Sequence, residues 1–421
     1  MFIIIFKLLF LFCFSKLICN IICVDIHNES EFIQYTENDK KEQILNIHGE
    51  IVINSIDTII PAIKNITIIG SSKKESIIKF KNNNEPNIVF PSQCEYIFFE
   101  NIHLIGNILF VDNKYINFKN VIYNGYFISE HTYRELDSKI NIYECDFILP
   151  NISQGYEVIN YDMDIYNSTF FGNDVYDAVM VKFESNMGYN NTIFINLSVF
   201  DGNYHNSAIH SSYSNTTIFT SIFQNTYNGE KLKGGGALTS INSYNNLYNV
   251  TFENNFSRYN GGSITFIDTY STYITYGYFY NSTSGLKGNI FSAYGENNES
   301  NVVLREIYQY GNCTNHKYNV EGSIFSLTGP GYIYMKIYYG KNVCFGDAIH
   351  IEGDGKVGIS GFYVEDIYSK YENSFIKTSN PETKGPNISI TDCLLKNIYH
   401  NHEFYSALLI SINSGIGRFE K

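Results

Sequence analysis

The alternation of apolar and polar residues along the chain predicts short β-strands rather than helices. Residues 273–279 and 332–338 alternate β-branched or aromatic side chains with polar ones and have no helical stripe. Asn and Gly separate such segments, as expected where one residue must turn the chain at positive φ. The pattern predicts an all-β fold.

Two ladders of apolar residues recur with one period of 25 to 34 residues, which indicates stacked repeats. In the first ladder a small or Asn residue precedes an aliphatic one, and we expect these aliphatic residues to stack inside: Val179, Ile209, Leu238, Ile264, Ile290, Ile324 and Ile349. The second ladder is aromatic: Phe147, Phe170, Phe200, Phe223, Phe252, Phe279, Tyr308 and Tyr338. Each unit is too short to bury its apolar face alone, so the units must stack as a solenoid.

Two glycine words and an aromatic-Asn word carry a resemblance to known repeats. The sequences are GGAL at 235–238, GGSI at 261–264 and FENN at 252–255. They resemble the repeats of chlamydial polymorphic outer-membrane proteins, and the wider pattern is similar to the right-handed β-helix (pectin-lyase-like) superfamily. The resemblance implies a right-handed parallel β-helix of roughly a dozen coils and a role in surface display.

The chain is expected to contain a secretory signal peptide, residues 1–23, and one parallel β-helix domain, residues 24–421. Residues 1–23 are apolar and short, and Lys7 and Lys16 interrupt them. A capping signature at Asn28 or Ser30 before Glu31 predicts a short helix that caps the first coil, within about 26–40. No cap is recognisable after the last apolar strand, so either the cap is unusual or the sequence is a fragment.

Composition limits the classes of partner. The net charge of −13 disfavours nucleic acid, anionic membranes and a polyanionic substrate. No stretch after the signal reaches a transmembrane length, so we expect no membrane span in the mature chain and a secreted or cell-surface location. Nothing in the sequence implies a cofactor.

The mature chain retains five cysteines, without a C-x-x-C motif. Cys313 and Cys344 follow Tyr308 and Tyr338 at similar distances, which predicts that they lie in adjacent coils. Coils stack about 4.8 Å apart, a separation that a disulfide can bridge. We therefore take Cys313 and Cys344 as the candidate disulfide.

Asn-x-Ser/Thr sequons are more frequent than the Asn-rich composition alone explains. The candidate glycosylation sites are Asn65, Asn151, Asn167, Asn196, Asn215, Asn249, Asn281, Asn298 and Asn387. A further sequon at Asn255 has an alternative interpretation, a buried turn residue that is hydrogen-bonded along the stack.

Catalytic motifs of polysaccharide-cleaving β-helices are absent from the sequence, and its four arginines are scattered. The best remaining candidates are Asp347, His350 and Glu352. If Ile349 points inward, His350 and Glu352 share the outer face, where a carboxylate could orient the imidazole. The alternative is an ordinary solvated strand, which the sequence favours.

Acidic residues at 162–201 form a second group, spread over two or three coils. Calcium binds several oxygen ligands, so Asp162, Asp164, Asp174 and Asp177 are candidate metal ligands. No EF-hand spacing or calcium-binding nonapeptide accompanies them. A merely acidic surface is the alternative.

Tyrosines crowd the strands at 270–280 and 332–339, and alternation sends every second one outward. Outward tyrosines can stack on sugars or pack on a partner, although stacking along a sheet is the simpler explanation. We expect a secreted or cell-surface scaffold with a binding or adhesive role, whose partners are glycans or surface proteins. The alternative is a carbohydrate-active β-helix enzyme, a polysaccharide lyase or glycoside hydrolase.

Overall fold

The protein is an all-β parallel solenoid of about 12 coils in which helix makes up 2% of the chain. The computed structural model describes residues 22–38, 41–55, 58–81, 85–132, 138–229, 234–311, 322–345, 347–369, 375–379, 385–400, 410–411 and 416–420. The prediction of a parallel β-helix is confirmed. The chain divides into two compact units, residues 1–147 and 148–421.

The first unit contains the helix among the described residues and short strands that pair in parallel. In chain order the elements are β1 Ile22–Ile26, α1 Glu29–Thr36, β2 Glu42–Ile47, β3 Glu50–Ile53, β4 Asn65–Gly70, β5 Ile77–Phe80, β6 Ile88–Phe90, β7 Tyr96–Glu100, β8 His103–Ile105, β9 Ile108–Val111, β10 Tyr115–Lys119, β11 Ile122–Asn124, β12 Phe127–Glu130 and β13 Lys139–Tyr143. Strand β14, Asp146–Ile148, spans the division between the units.

Helix α1 begins at the predicted capping residues. The Asn28 side chain accepts a hydrogen bond from the Glu31 amide at 3.0 Å, and the Glu31 carboxylate accepts one from the His27 amide at 2.8 Å. Phe32 is fully buried beneath the helix. Strand β1 precedes the helix and pairs with β2, so a parallel strand begins at Ile22, inside the predicted signal segment. Residues 1–21 lie outside the described residues, and the signal peptide stays a prediction.

Aligned apolar columns form the core of the first unit. Ile66, Ile97, Ile116 and Ile140 occupy successive strands in register, and all four are fully buried. Beside them Phe99 stacks on the corresponding Phe of the next coil at 5.0 Å. Every strand therefore contributes its inward side chains to one continuous stack, as a solenoid core requires.

The second unit continues the same architecture with longer strands. They are β15 Tyr156–Ile159, β16 Asp162–Tyr166, β17 Thr169–Phe171, β18 Val179–Glu184, β19 Thr192–Asn196, β20 Val199–Asp201, β21 Ser207–Ser212, β22 Asn215–Phe219, β23 Ile222–Gln224, β24 Tyr227–Asn228, β25 Leu238–Ile241, β26 Tyr244–Glu253, β27 Phe256–Ser257, β28 Ile264–Ile267, β29 Ser271–Tyr280, β30 Thr283–Ser284, β31 Phe291–Tyr294, β32 Ser300–Tyr310, β33 Phe325–Thr328, β34 Gly331–Phe345, β35 Ile349–Glu352, β36 Lys356–Ser369, β37 Ile376–Ser379, β38 Asn387–His400, β39 Ile410–Ser411 and β40 Ile416–Glu420.

Two main sheets face each other in this unit. The long sheet contains β16, β19, β22, β26, β29, β32, β34, β36 and β38, and the short sheet contains β18, β21, β25, β28, β31, β33, β35 and β37. Strands β22 and β23 both pair with β26, where the two short strands of one coil become one long strand. Asn249, at φ 54°, bends β26 at the junction.

The inward aliphatic ladder is confirmed in part. Ile209, Leu238 and Ile264 pair in register and are fully buried. Three predicted members are out of register, because the buried column instead contains Val181, Phe291 and Phe325: Val179 is half-buried, and Ile290 and Ile324 are buried one position away. Where two apolar residues adjoin, residue spacing cannot decide which of them enters the column.

The aromatic ladder is confirmed from Phe170 to Phe279, where successive rings stack 4.7 to 5.2 Å apart. Two predictions beyond it are wrong. Phe279 pairs with Gln309, so Tyr308 points outward, and Tyr338 is buried but pairs with Ile307 in the neighbouring column. Residues 278–280 and 338–339 offer aromatics to both faces, and a slip of one residue exchanges the faces.

Asparagines turn the coils after the aromatic ladder. Asn225, Asn254 and Asn281 have φ between 50° and 54°, and their side-chain amides form a chain of hydrogen bonds at 3.2 and 3.1 Å. The sequon residue Asn255 is fully buried and accepts a hydrogen bond from the Thr226 hydroxyl at 2.7 Å. The interpretation of Asn255 as a buried turn residue is therefore correct.

Candidate functional site

The outer side of the short sheet over β25 to β35, which we call the covered face, is largely closed to solvent, whereas Lys377 on the next strand is exposed. Its outward column pairs strand by strand and is 0 to 8% exposed; the members are Thr239, Thr265, Ser292, Ser326 and His350. Glycine turns lie on it: the Gly235 amide donates to the Thr239 hydroxyl at 2.9 Å, and a Cβ on Gly261 (φ 70°) would overlap the Thr265 hydroxyl. The GGA and GGS words therefore serve to close this face.

The catalytic candidates Asp347 and His350 lie on the covered face. His350 Nδ1 is 3.5 Å from Asp347 Oδ2, and the Lys377 ammonium is 3.5 Å from the same oxygen. Asp347 and His350 are each only 8% exposed, and His350 Nε2 has no hydrogen-bond partner among the described residues. The expectation of an ordinary solvated strand is wrong, because His350 takes the place that Thr or Ser holds in the buried column.

Glu352 shares the outward side with His350, as expected, but its carboxylate binds a different partner. Glu352 Oε2 accepts a hydrogen bond from the Lys287 ammonium at 2.6 Å. This bond and the charge of Lys287 hold the pKa of Glu352 below its ordinary value of 4.5. The carboxylate that contacts the imidazole is that of Asp347, so the three candidates do not form one reacting group.

The candidate metal ligands are occupied by structural hydrogen bonds. Asp162 accepts from the Thr192 amide at 2.8 Å, Asp174 from the Asn203 side chain at 2.8 Å, and Asp177 from the Gly229 amide. Asp164 lies two residues from Asp162 on the same strand. Within the described part of the chain, no three His, Cys, Asp or Glu side chains are placed to hold an ion. The calcium hypothesis gains no support from this arrangement.

The outer side of the long sheet contrasts with the covered face in composition and exposure. We define the acid-free face as its outward positions in the strand segments 215–219, 244–248, 271–275, 301–305, 332–336, 356–360 and 387–391. These described positions contain no Asp or Glu. They carry tyrosine, amide and hydroxyl side chains together with Arg305, Lys336 and Lys356, all three exposed.

A groove of about 590 Å³ crosses the acid-free face. Its lining includes Tyr244, Asn246, Tyr273 and Arg305. Tyr273 is 47% exposed and has no ring contact with another described aromatic side chain. Two strands further along the same column, Tyr334 is 46% exposed and lies against the backbone of Gly358. These rings offer an accessible flat face.

A second set of outward tyrosines, the tyrosine ladder, stacks ring on ring. Its members Tyr278, Tyr308, Tyr339 and Tyr363 follow one another at 5.2 to 5.4 Å with ring planes within 20°. The ladder borders a groove of about 560 Å³ that also contains Lys341, Glu365 and Lys396. Because neighbouring rings cover one another, the ladder exposes ring edges and hydroxyls rather than flat faces.

The carboxylate in that groove is neutralised by its neighbours. Lys396 Nζ lies 2.6 Å and Lys341 Nζ 3.7 Å from the Glu365 carboxylate. The hydrogen bond from Lys396 lowers the pKa of Glu365, so the group is ionised and paired. It has the environment of a surface ion pair rather than that of a proton donor.

As expected from alternation, the tyrosines of these strands divide between the two sides of the sheet. Tyr270, Tyr273, Tyr332, Tyr334 and Tyr339 are exposed, and Tyr276, Tyr278 and Tyr280 are half-buried. Tyr338 is fully buried, its hydroxyl donates to Gln309 Oε1 at 2.6 Å, and burial raises its pKa. The sequence reasoning missed Tyr308 and Tyr363 as outward residues and dismissed Arg305 as scattered. A count of charges by face rather than along the chain would have found the arginine.

Cys344 is disulfide-bonded. Its predicted partner, Cys313, lies outside the described residues, so the pairing stays a prediction. Cys94 and Cys145 are buried thiols, and burial raises the pKa of each to about 12. Such thiols remain protonated near neutral pH and are poor nucleophiles.

The candidate glycosylation sites differ in accessibility. Asn151, Asn167, Asn298 and Asn387 are exposed, whereas Asn65, Asn196, Asn215, Asn249 and Asn281 are half-buried. The Asn65 side chain donates to Glu42 at 3.0 Å, and that of Asn281 to Asn254 at 3.1 Å. Modification stays a prediction and is easiest at the four exposed positions.

No family model matches the chain, and no curated protein matches it. Among solved structures, the "Crystal structure of Agl-KA catalytic domain" is 11% identical, and the match covers 93% of this chain with a TM-score of 0.27. The chain spans 64% of the length of that structure. At this TM-score the likeness supports no inference about fold or function. No helix among the described residues is both long and apolar enough to cross a membrane.

Proposed function

We propose that the protein is a secreted or cell-surface β-helix scaffold that binds a glycan or a surface protein through the acid-free face, without catalysis of its own. The observation that carries the proposal is the exposed, unstacked ring of Tyr273, which lines a groove, together with the similarly exposed ring of Tyr334 two strands along the same column. Tyrosine presents a large rigid face and a polar tip at low entropic cost, which suits recognition.

Sequence features support the surface location. The apolar segment at 1–23 is typical of a secretory signal, and the sequons predict passage through a glycosylating compartment. The glycine and aromatic-Asn words resemble repeats of a bacterial surface-displayed family. These features favour an extracellular binding protein over an intracellular one.

The alternative, a carbohydrate-active enzyme, requires several carboxylates in one cleft. Among the residues that line the two grooves, the carboxylate is that of Glu365, which is paired with two lysines. Asp347 and His350 lie on the covered face, and each is only 8% exposed. The geometry therefore favours binding over hydrolysis or elimination.

The test compares two sets of substitutions in the secreted full-length chain, using a glycan array, a cell-adhesion assay and a polysaccharide-degradation assay. Tyr273→Ala and Tyr334→Ala together should weaken binding, with about 1 kcal/mol lost per contact. Tyr143→Ala, which removes a similarly exposed ring in the first unit, serves as the matched control and should have little effect.

The second set replaces the candidates on the covered face conservatively, with Asp347→Asn, His350→Gln and Glu352→Gln combined. Binding should remain at the wild-type level, because these residues lie outside the acid-free face. If the wild type depolymerises a polysaccharide and the triple variant does not, the protein is a carbohydrate-active enzyme and the proposed scaffold function is wrong.

A further inference from the structure

The acid-free face carries a charge opposite to that of the whole chain. The protein has 42 Asp and Glu against 29 Lys and Arg, yet the outward positions of this face hold three cations and no carboxylate. None of Arg305, Lys336 and Lys356 is in a salt bridge with another described residue. On the neighbouring groove, by contrast, Lys341 and Lys396 are both paired with Glu365.

The three cations lie on both sides of the column that contains the exposed rings of Tyr273 and Tyr334. Arg305 pairs with Lys336 on the next strand, so their Cα atoms lie about 4.8 Å apart. Lys356 pairs with Tyr332, which precedes Lys336 by four residues on the same strand. Measured along the strand direction, Lys356 is therefore about 13 Å from Lys336. Tyr273 and Tyr334 occupy the column between these two edges.

The carboxylates nearest to the acid-free face lie at its border or outside it. Glu306 follows Arg305 in the chain and forms the bend itself (φ 54°), and its carboxylate accepts a hydrogen bond from the Tyr308 hydroxyl of the tyrosine ladder at 3.5 Å. Asp162 and Asp164 lie on β16, outside the segments of the face. Asp164 lies four strands from Tyr273, about 19 Å away, and at physiological salt charges beyond about 8 to 10 Å are largely screened, so Asp164 contributes little to the field at Tyr273.

We propose that the acid-free face binds an anionic glycan, a polysaccharide bearing sulfate or carboxylate groups, at Tyr273, Arg305 and Lys336. The inference rests on the proposed binding function and names its ligand class. The Arg305 guanidinium binds an oxyanion through two parallel hydrogen bonds, and Lys336 adds a point charge. The Tyr273 ring packs against the sugar, and Asn246 and Thr275 on the groove wall bond its hydroxyls.

A glycan fits this face better than an acidic protein does. The lining combines an unstacked ring, amides, hydroxyls and one guanidinium in a narrow open groove, with few apolar anchors. Protein interfaces instead depend on buried apolar or aromatic anchors at their centre. The net charge of −13 argued against polyanions only as an average over the whole surface.

The test uses the full-length chain and three probes: dextran, dextran sulfate and polygalacturonate, with affinity measured by calorimetry at several salt concentrations. Dextran and its sulfate share one backbone, so their ratio isolates the anionic group. We expect at least one anionic probe to bind about tenfold or more tightly than dextran, with affinity falling as salt rises. The two anionic probes distinguish sulfate from carboxylate.

Two pairs of substitutions locate the site. Arg305→Gln with Lys336→Gln should weaken the anionic probe by roughly tenfold for each cation and flatten its salt dependence. Lys341→Gln with Lys396→Gln removes the same charge from the ladder groove and should change affinity by less than about twofold, since these lysines are already paired. All variants are first checked for wild-type thermal unfolding.

Four outcomes would overturn the inference. If the wild type binds dextran and dextran sulfate with equal affinity and Tyr273→Ala binds neither, the protein is a glycan-binding scaffold without a preference for anions. An equal loss of affinity in the Arg305/Lys336 double variant and in the Lys341/Lys396 double variant would indicate a general charge effect. Adhesion to cells that persists after enzymatic removal of their glycans but needs Arg305 would identify an acidic protein partner. If the wild type binds neither polysaccharide nor cells, the proposed function fails as well.

Discussion

The outer faces of the two sheets in residues 148–421 differ in what lies over them. On the covered face, glycine turns lie over Thr and Ser side chains, and His350 in the same column is 8% exposed. On the acid-free face the strands are bare, and Tyr273 is 47% exposed. The residue types that suggest chemistry, His and Asp, therefore lie where a ligand does not reach, whereas types usually assigned to structure meet the solvent.

This difference has a local physical cause. A turn can lie directly on a strand only if its residues lack side chains, and Gly235 and Gly261 meet that requirement on the covered face. The long sheet has no such turn among its described outer contacts. Its outward tyrosines instead stack on one another or remain free, which leaves two grooves open.

The largest effect on stability is expected for a substitution on the inward side of the short sheet. Ile264→Asp places a carboxylate among fully buried apolar residues, at a cost of roughly 4 kcal/mol or more, a large part of the stability of a domain. Ile222→Asp, at a position 36% exposed, is the matched control and should cost little. Thermal unfolding monitored by circular dichroism measures both. Normal unfolding of the Ile264 variant would mean that the inward face is reversed.

A smaller effect should follow from opening the covered face. Gly261→Ala strains a backbone at φ 70° and drives a methyl group into Thr265, so we expect a loss of about 2 to 4 kcal/mol in the free energy of unfolding. Gly188→Ala has a similar φ of 88° but meets no atom within 4 Å, and should cost about 1 kcal/mol. Equal losses in chemical denaturation would show that no turn presses on this face.

The smallest effect concerns the ion pair at the rim of the covered face. The folded-state pKa of Glu352 is depressed, so its pair with Lys287 stabilises the fold above the ordinary pKa of 4.5. That contribution is lost as pH falls through the folded value. Glu352→Gln should reduce stability at pH 7 by at most about 1 kcal/mol, because the side chain is 40% exposed.

Denaturation of both proteins along a pH series checks the sign. The difference between wild type and Glu352→Gln should shrink below pH 4.5 and vanish in acid. A difference that grows in acid would mean that Glu352 is held neutral rather than ionised in the fold.

Repetition made the fold predictable, whereas register was harder to obtain. The stacked Phe ladder and the inward Leu238 follow from spacing alone, because each repeat presents the same residue type in the same place. Tyr308 was misplaced because adjacent aromatics fit either face, whereas Tyr338 is buried but lies in the neighbouring column. The positive-φ residue Glu306 resets the alternation there, and its type gives no warning of it.

The site was less predictable, since exposure depends on parts of the chain that lie far apart in sequence. Nothing near His350 in the sequence indicates that it is covered, although the glycine words three and four repeats earlier mark the same column. Arg305 and Lys336 lie 31 positions apart and become neighbours only once the strands are aligned. A face free of carboxylates is likewise a property of aligned coils and is invisible along one strand.

Tyrosine footprinting of the full-length chain by mass spectrometry, with and without dextran sulfate or polygalacturonate, tests the central claim most directly. Without ligand, reagent should modify Tyr273 and Tyr334 readily and leave the buried Tyr294 and Tyr338 intact. Bound ligand should then protect Tyr273 and Tyr334, while Tyr96, 39% exposed in the first unit, reacts as before. Ligand protection at Tyr96 but not at Tyr273, or ready modification of Tyr294 on the covered face, would contradict the account.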